Sequence, residues 1–374
     1  MTSENSRKKI LLVTRPIAPP WDEASKNFAF YLAKTLSSFN FFLLTNGFIP
    51  NLPYHIHQKP IYTSNNLSYF QKIRLLKLVR MKNTFDIIHF MLTPNKLNTF
   101  SFKTFIKSNR AKTIQTIATL REDLFKDEDF KNILFADLII TYSDYAKNKL
   151  ASLGFQNVIR IYPGIDLAHY KKAEKKSEYM QKYGFYDSDF VINFTGEYTR
   201  LGAMDDVVQS FVEISKSIPN ARLSLAVRIK NAQDAEKKKE IVEIFKKNNL
   251  LDRVAFHDDG TYEMPDIYNL CDISIFPVRD MIGKFDVPLA VIEAMACEKP
   301  VIISNLPILE EFAKEDNSVR IEKGNVKQLN ATILNLYENP DKRNLIGKNA
   351  RLYVEENFDI NFVAKQYQAV YEKI

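Results

Sequence analysis

At 374 residues the chain is too long for one ordinary core and suits two α/β domains of about 150–200 residues each. Its two cysteines, Cys271 and Cys297, lie in apolar runs, which argues against a disulfide framework and for reduced thiols in a cytosolic protein. The net charge of +7 hides an asymmetry, because residues 1–165 carry 23 Lys and Arg against 11 Asp and Glu, while the remainder carries 29 against 34.

Between residues 24 and 121 Asp86 is the only acid among 14 basic residues, so the basic excess belongs to a whole region and not to a tail. An anionic surface or substrate is its natural partner. No nucleic-acid-binding motif accompanies the charge, and the acidic second half speaks against such a role. Residues 1–9 run into a short strand rather than a signal-peptide core, and no stretch of about 18 apolar residues occurs. The expectation is a chain that is neither secreted nor membrane-spanning.

Residues 10–14 have the brevity of a buried parallel strand. A proline-rich loop over 15–21 follows, and then Asp22, Glu23 and Ser25 precede a helix patterned on Phe28, Tyr31, Leu32 and Leu36. These three polar residues read equally as a helix N-cap cluster and as ligand contacts at the carboxyl end of a strand. Further strands are predicted at 41–44, 86–90 and 114–118. His55 and His57 form an H-x-H pair, but with prolines around them and no third ligand nearby they are set aside as a metal site. Leu67, Phe70, Ile73, Leu78 and Val79 recur at helical spacing among Lys72, Arg74, Lys77, Arg80 and Lys82, the composition of an interfacial amphipathic helix or of a domain helix with a solvated basic face. The acids at 127–129 lie in a charged helical stretch and read as a solvated face. A strand over 136–143 and an extended segment over 158–166 lead to Pro163 and Gly164, where the domain junction is placed.

The alternation then restarts with a strand at 190–194, the loop 195–202, a helix from about 204 to 217 and a strand at 223–227. Arg200, Arg228 and Lys230 are cations suited to a diphosphate, with Gly196 in the same loop. Further on, Pro288 can open a helix and Pro300 closes it before a short apolar strand. Between 289 and 297 every residue is apolar except Glu293, whose carboxylate costs several kcal/mol, roughly, to bury unless it gains hydrogen bonds. The first turn around Val287, Pro288 and Leu289 offers backbone N–H groups to an anion. A carboxylate and an anion site about a turn apart match a ligand with hydroxyls and phosphate.

Residues 284–305, with Pro288, Leu289, Glu293, Ala294, Met295, Ala296, Cys297, Lys299 and Pro300, resemble the donor-nucleotide signature of retaining GT-B glycosyltransferases, the family of bacterial mannosyltransferases and glycogen synthase. The likeness extends to 86–89, 136–143, 158–166 and 264–277. It implies two Rossmann-like α/β domains facing a central cleft. The first spans 1–165 with a returning helix at 358–374, and the second spans 166–357. It also implies transfer of a hexose from a nucleoside-diphosphate sugar to a hydroxyl acceptor, a glycan or a lipid-linked group, with retention, no cofactor and no metal ion. By the resemblance Glu293 holds the ribose hydroxyls, and Asp286 substitutes for an acid that meets the donor sugar, because Phe285 stands at that acid's position. Asp22, Glu23, Ser25 and Arg121 fall in acceptor loops. The chain departs from the family pattern at Ala118, Glu197 and Leu201 as well. Those departures keep open a second reading, a non-catalytic GT-B protein that binds a nucleotide or a partner enzyme. The basic first domain adds an expected attachment to an anionic membrane, on its cytoplasmic face.

Overall fold

The computed structural model describes residues 7–19, 24–63, 68–81, 83–94, 96–106, 110–258 and 262–374. The chain forms two compact units, one of Met1–Ile165, Phe285–Val287 and Phe358–Ile374, the other of Asp166–Lys284 and Pro288–Asn357. Residues 285–287, which the sequence suggests are part of the second domain, therefore group with the first. Phe285 explains this, since its ring packs edge-on against Tyr142 with centroids 5.9 Å apart and joins the first unit's apolar core.

The first unit is a seven-stranded parallel sheet ordered β3-β2-β1-β4-β5-β6-β7. Its strands are β1 (Lys9–Ile17), β2 (Asn40–Asn46), β3 (Ile56–Tyr62), β4 (Ile87–Phe90), β5 (Lys112–Ile117), β6 (Leu138–Thr141) and β7 (Val158–Arg160). Along β1 successive side chains enter opposite cores, Ile10 and Leu12 on one face and Leu11 and Val13 on the other. A strand covered on both faces must be apolar at every position, which is why β1 reads as a run and not as an alternation. Helices α1 (Ala24–Thr35) and α13 (Ile360–Lys373) cover the first face. On the opposite face Leu75 and Val79 of α2 (Tyr69–Arg80) are buried. Leu75 and Val79 are thus spent on the core, Ile73 and Leu78 are half-buried, and Phe70 stays exposed. Leu67 and Lys82 lie outside the described residues.

The strand β3 was hidden in the sequence by Pro53 and Pro60, but at a sheet edge a proline removes no ladder hydrogen bond from a neighbour. His55 is buried with Nε2 3.0 Å from the Ala33 carbonyl oxygen, and His57 stacks on Phe42 at 4.7 Å, so this pair serves packing. The acids of 127–129 open α4 (Asp127–Ile133), with Asp129 bonded to Lys96 at 2.8 Å.

The second unit is a six-stranded parallel sheet ordered β10-β9-β8-β11-β12-β13. Its strands are β8 (Phe190–Gly196), β9 (Ala221–Val227), β10 (Val254–Phe256), β11 (Ile273–Phe276), β12 (Val301–Ser304) and β13 (Ser318–Ile321). Around it lie α7 (Met204–Ser217), α8 (Ala232–Lys247), α9 (Met264–Leu270), α10 (Leu289–Ala296), α11 (Val326–Glu338) and α12 (Pro340–Asn357). Strand order runs outward in one direction from β8 and in the other from β11. A crevice opens beyond the carboxyl ends of the strands where such an order reverses.

One buried polar contact ties the returning helix to the first sheet. His89 on β4 is fully buried, its Nδ1 2.8 Å from the Tyr371 hydroxyl and its Nε2 2.7 Å from the Thr116 hydroxyl. Burial pushes its pKa down to about 3, so the ring stays neutral. An unfolded histidine titrates near 6.5, and below that pH the unfolded chain gains a proton that the folded one refuses. Stability from this group is therefore lost as pH falls from 6.5 towards 3, by about 1.4 kcal/mol per pH unit. Urea unfolding at pH 7, 6 and 5 is expected to show a steeper acid loss for the wild type than for His89→Gln. Equal slopes would mean that His89 is protonated in the fold.

Candidate active site

Helix α10 begins after Pro288 with no side-chain cap, so its first turn presents uncapped backbone N–H groups. Seven of its eight residues are apolar, and the exception, Glu293, is held by phenols. Tyr268 on α9, itself fully buried, donates its hydroxyl to Glu293 Oε2 at 3.0 Å, and the Tyr170 hydroxyl bonds the same carboxyl group. Burial pushes the Glu293 pKa up to about 7, against the two phenols, which favour its ionised form. Near neutral pH the group is poised between acid and carboxylate.

The Tyr268 hydroxyl also bonds the side chain of Thr195, which stands two residues before Glu197 at the carboxyl end of β8. Gly196 is required between them, because a Cβ there would come within 2.5 Å of the Phe194 ring. Glu197, with its side chain 10% exposed, accepts a hydrogen bond from Lys230 Nζ at 2.6 Å and another from Lys284 Nζ. Arg200 Nη1 lies 3.9 Å from its second oxygen. The Arg200 guanidinium also donates to the carbonyls of Ile282, at 3.2 Å, and Gly283, at 2.6 Å. Burial alone would raise the Glu197 pKa, yet the two lysine bonds hold it at about 2.

Two of the predicted cations, Arg200 and Lys230, are thus gathered at one carboxylate. Lys284 was missed because it lies 87 residues along the chain from Glu197. Its signal in the sequence is its place as the first residue of the 284–305 motif. Arg228 follows β9 directly and is half-buried. Of the residues expected at the head of α10, Val287 is fully buried and Leu289 nearly so. Asp286 is 2% exposed, accepts the Ser143 hydroxyl and donates its own N–H to the Ala118 carbonyl at 2.9 Å. Its carboxylate is therefore engaged inside the first unit, where Phe285 packs against the apolar core.

Arg121 makes a bidentate pair with Asp123 at 2.8 and 2.7 Å, so this acceptor candidate is already partnered. Asp22 and Glu23 lie outside the described residues; Ser25 lies in α1, and its side chain is outside them too. Among the described residues no three His, Cys, Asp or Glu side chains cluster so as to hold a metal ion.

A parallel sheet whose order reverses between β8 and β11 is a Rossmann-type arrangement, and here a tyrosine-held carboxyl and three cations lie about the end of β8. Residues 175–353, just under half of the chain, match the family model of glycosyl transferases group 1. The fold is GT-B. It aligns with the UDP-glucose complex of Anabaena HepE at a TM-score of 0.78 and 16% identity, over 98% of this chain and all of that one. In sequence it is 24% identical to the capsular polysaccharide biosynthesis glycosyltransferase CapM of Staphylococcus aureus, over 62% of this chain and 58% of that protein. It is 23% identical to the alpha-monoglucosyldiacylglycerol synthase of Acholeplasma laidlawii, over 55% of this chain and 50% of that protein. The matches thus span between half and three fifths of these curated relatives.

The raised pKa of Glu293 has a thermodynamic signature. Between its unfolded value of 4.5 and about 7 the folded state holds the extra proton, so this contribution is present at low pH and lost as pH rises through 7. Glu293→Gln removes it. The variant is expected to gain stability on the wild type as pH rises from 5 to about 7, on the order of 1 kcal/mol per pH unit, read by thermal melts. A pH-independent difference would place the Glu293 pKa in the ordinary carboxylate range.

Proposed function

We propose that the protein is a retaining hexosyltransferase, moving a hexose from a nucleoside-diphosphate sugar to a hydroxyl acceptor on a lipid or a growing glycan without a metal ion. The observation that carries this is the pairing of Glu293, held by Tyr268 and Tyr170, with the cations around Glu197 through the shared Tyr268–Thr195 contact. Glu293 accepts the ribose hydroxyls, Val287, Pro288 and Leu289 shape the first turn of α10 for a phosphate, and Arg200, Arg228 and Lys230 draw off its charge. The acceptor hydroxyl oxygen bonds to the anomeric carbon as the bond from that carbon to the phosphate oxygen breaks, the hydroxyl proton passes to the departing phosphate oxygen, and the nucleoside diphosphate leaves with its charge met by those cations. Positioning supplies the remainder of the rate.

The experiment is incubation with a panel of nucleotide sugars, read as release of nucleoside diphosphate, with calorimetric titration of each diphosphate. Transfer or slow hydrolysis of one donor is expected. Glu293→Gln should weaken nucleoside-diphosphate binding by at least tenfold while leaving the fold intact. Unchanged affinity would remove the anchor of the reading. Tight nucleotide binding with no turnover of any donor would favour the second reading, a binding protein. That reading draws on Phe285 packed into the first core and on the engaged carboxylate of Asp286.

The acceptor is proposed to be met at an anionic membrane, on its cytoplasmic side. With Leu75 and Val79 buried, α2 leaves Lys72, Arg74, Lys77 and Arg80 exposed. Phe70, 76% exposed, and Phe100, 71% exposed on the adjacent α3 (Lys96–Ile106), add two aromatic side chains to this basic surface. No helix among the described residues is long and apolar enough to cross a membrane. Neutralising Lys72, Arg74 or Lys77 to Gln is expected to weaken co-sedimentation with anionic vesicles by about fivefold each, at about 1 kcal/mol per basic residue. Binding absent at low salt, or indifferent to the anionic lipid fraction, would point to a soluble acceptor.

A further inference from the structure

The cations at the end of β8 outnumber the acid they surround. Lys230 and Lys284 both bond Glu197 Oε1, and Arg200 approaches Oε2 at 3.9 Å, which sets three positive charges about one negative. Asp234, the other acid close by, accepts the backbone N–H of Lys230 at 3.0 Å and the Thr199 hydroxyl at 3.0 Å, and so is committed to the loop and not to the ammonium groups. The arrangement is also built to stay put. Arg200 is fixed to two carbonyls of the 282–283 turn, immediately before Lys284, and Lys230 leaves the end of β9 next to β8. The acid is the sheltered partner, with 10% of its side chain exposed against 44% for Lys230 and 29% for Lys284.

A structural ion pair needs no surplus of charge, and keeping three cations together costs free energy unless an anion larger than one carboxylate joins them. A diphosphate carries two or more negative charges and has the size to reach all three cations. We propose that Lys284, with Lys230 and Arg200, forms the subsite for the donor's diphosphate, and that Glu197 is an internal anion occupying it until the donor displaces the carboxylate. This rests on the donor-binding reading above and deepens it. Protonation is no cheap way out for a carboxylate this well bonded, so Glu197 must rotate away from the lysines for the phosphates to enter. The subsite then selects against weakly charged ligands. A monophosphate offers less to exchange for the lost Glu197 bonds than a diphosphate does.

The test uses inorganic pyrophosphate, inorganic phosphate and a nucleoside diphosphate as separate probes on the full chain, followed by calorimetry. Glu197→Gln keeps the shape, removes the competing charge and is expected to bind pyrophosphate at least tenfold more tightly than the wild type, with a smaller gain for phosphate. Lys284→Ala is expected to lose at least tenfold in pyrophosphate affinity, and so is Lys230→Ala. Weaker or unchanged pyrophosphate binding by Glu197→Gln would overturn the proposal, because it would make Glu197 an orienting or purely structural partner. Should Glu197→Gln fold poorly, Glu197→Asp, whose shorter side chain is drawn back from the lysines, takes its place and is expected to tighten pyrophosphate in the same direction. The donor reading fails separately: pyrophosphate behaving as expected while no nucleoside diphosphate binds better than pyrophosphate alone would leave the anion subsite standing and remove the nucleotide.

Discussion

A carboxyl group on an otherwise apolar helix is costly to bury, and the second unit is arranged around meeting that cost for Glu293. Water is replaced by the hydroxyls of Tyr268 and Tyr170, one from α9 and one from the segment that opens the unit. The Tyr268 hydroxyl then reaches Thr195, so the same contact registers α9 and α10 against the end of β8. From there the chain needs two residues to arrive at Glu197 and its cations. Helices α9 and α10 and the end of β8 thereby meet at one phenol.

How much of this was legible in the sequence varies with the range of the interaction. The parallel strands could be read because burial on both faces leaves an unbroken apolar run, as in β1 and β12. Helix α7 was placed at 204–217 from its period, and its two ends fall at Met204 and Ser217. The edge strand β3 was missed, since an edge tolerates the prolines that would exclude a central strand. Glu293 stood out because its neighbours forbid it, whereas Tyr268 and Tyr170 gave no signal, being ordinary aromatic residues until the fold turns their hydroxyls inward. Lys284 and Asp286 show the same limit. Two residues apart in sequence, one completes the cation cluster and the other enters the first unit's core, and nothing local distinguishes them.

The charge asymmetry also takes on a definite form. Part of the basic excess of residues 1–165 is displayed by α2, which leaves four cations exposed, while in the second half lysines are matched by nearby acids, as in Lys176 with Asp266 and Lys238 with Asp258. Around Glu197 the second unit gathers Lys230, Lys284 and Arg200 about one acid, just past the end of β8. A general surface field and a focused pocket of charge are different devices, and the chain carries one in each unit.

The course of the chain has a consequence for how it is made. The first sheet is finished by α13, whose Tyr367 and Tyr371 complete the core beside β1 and close the contacts of His89, yet this helix is specified after the whole of the second unit. During synthesis the strands from β1 to β7 emerge long before the helix that covers them, whereas every strand and helix of the second unit leaves the ribosome before α13 does. The later unit can thus reach its native packing first, and the earlier one must wait with an apolar sheet face partly bare. Chaperone binding during translation would be drawn to that face, and a chain cut short within its last 17 residues would strand the first unit and spare the second.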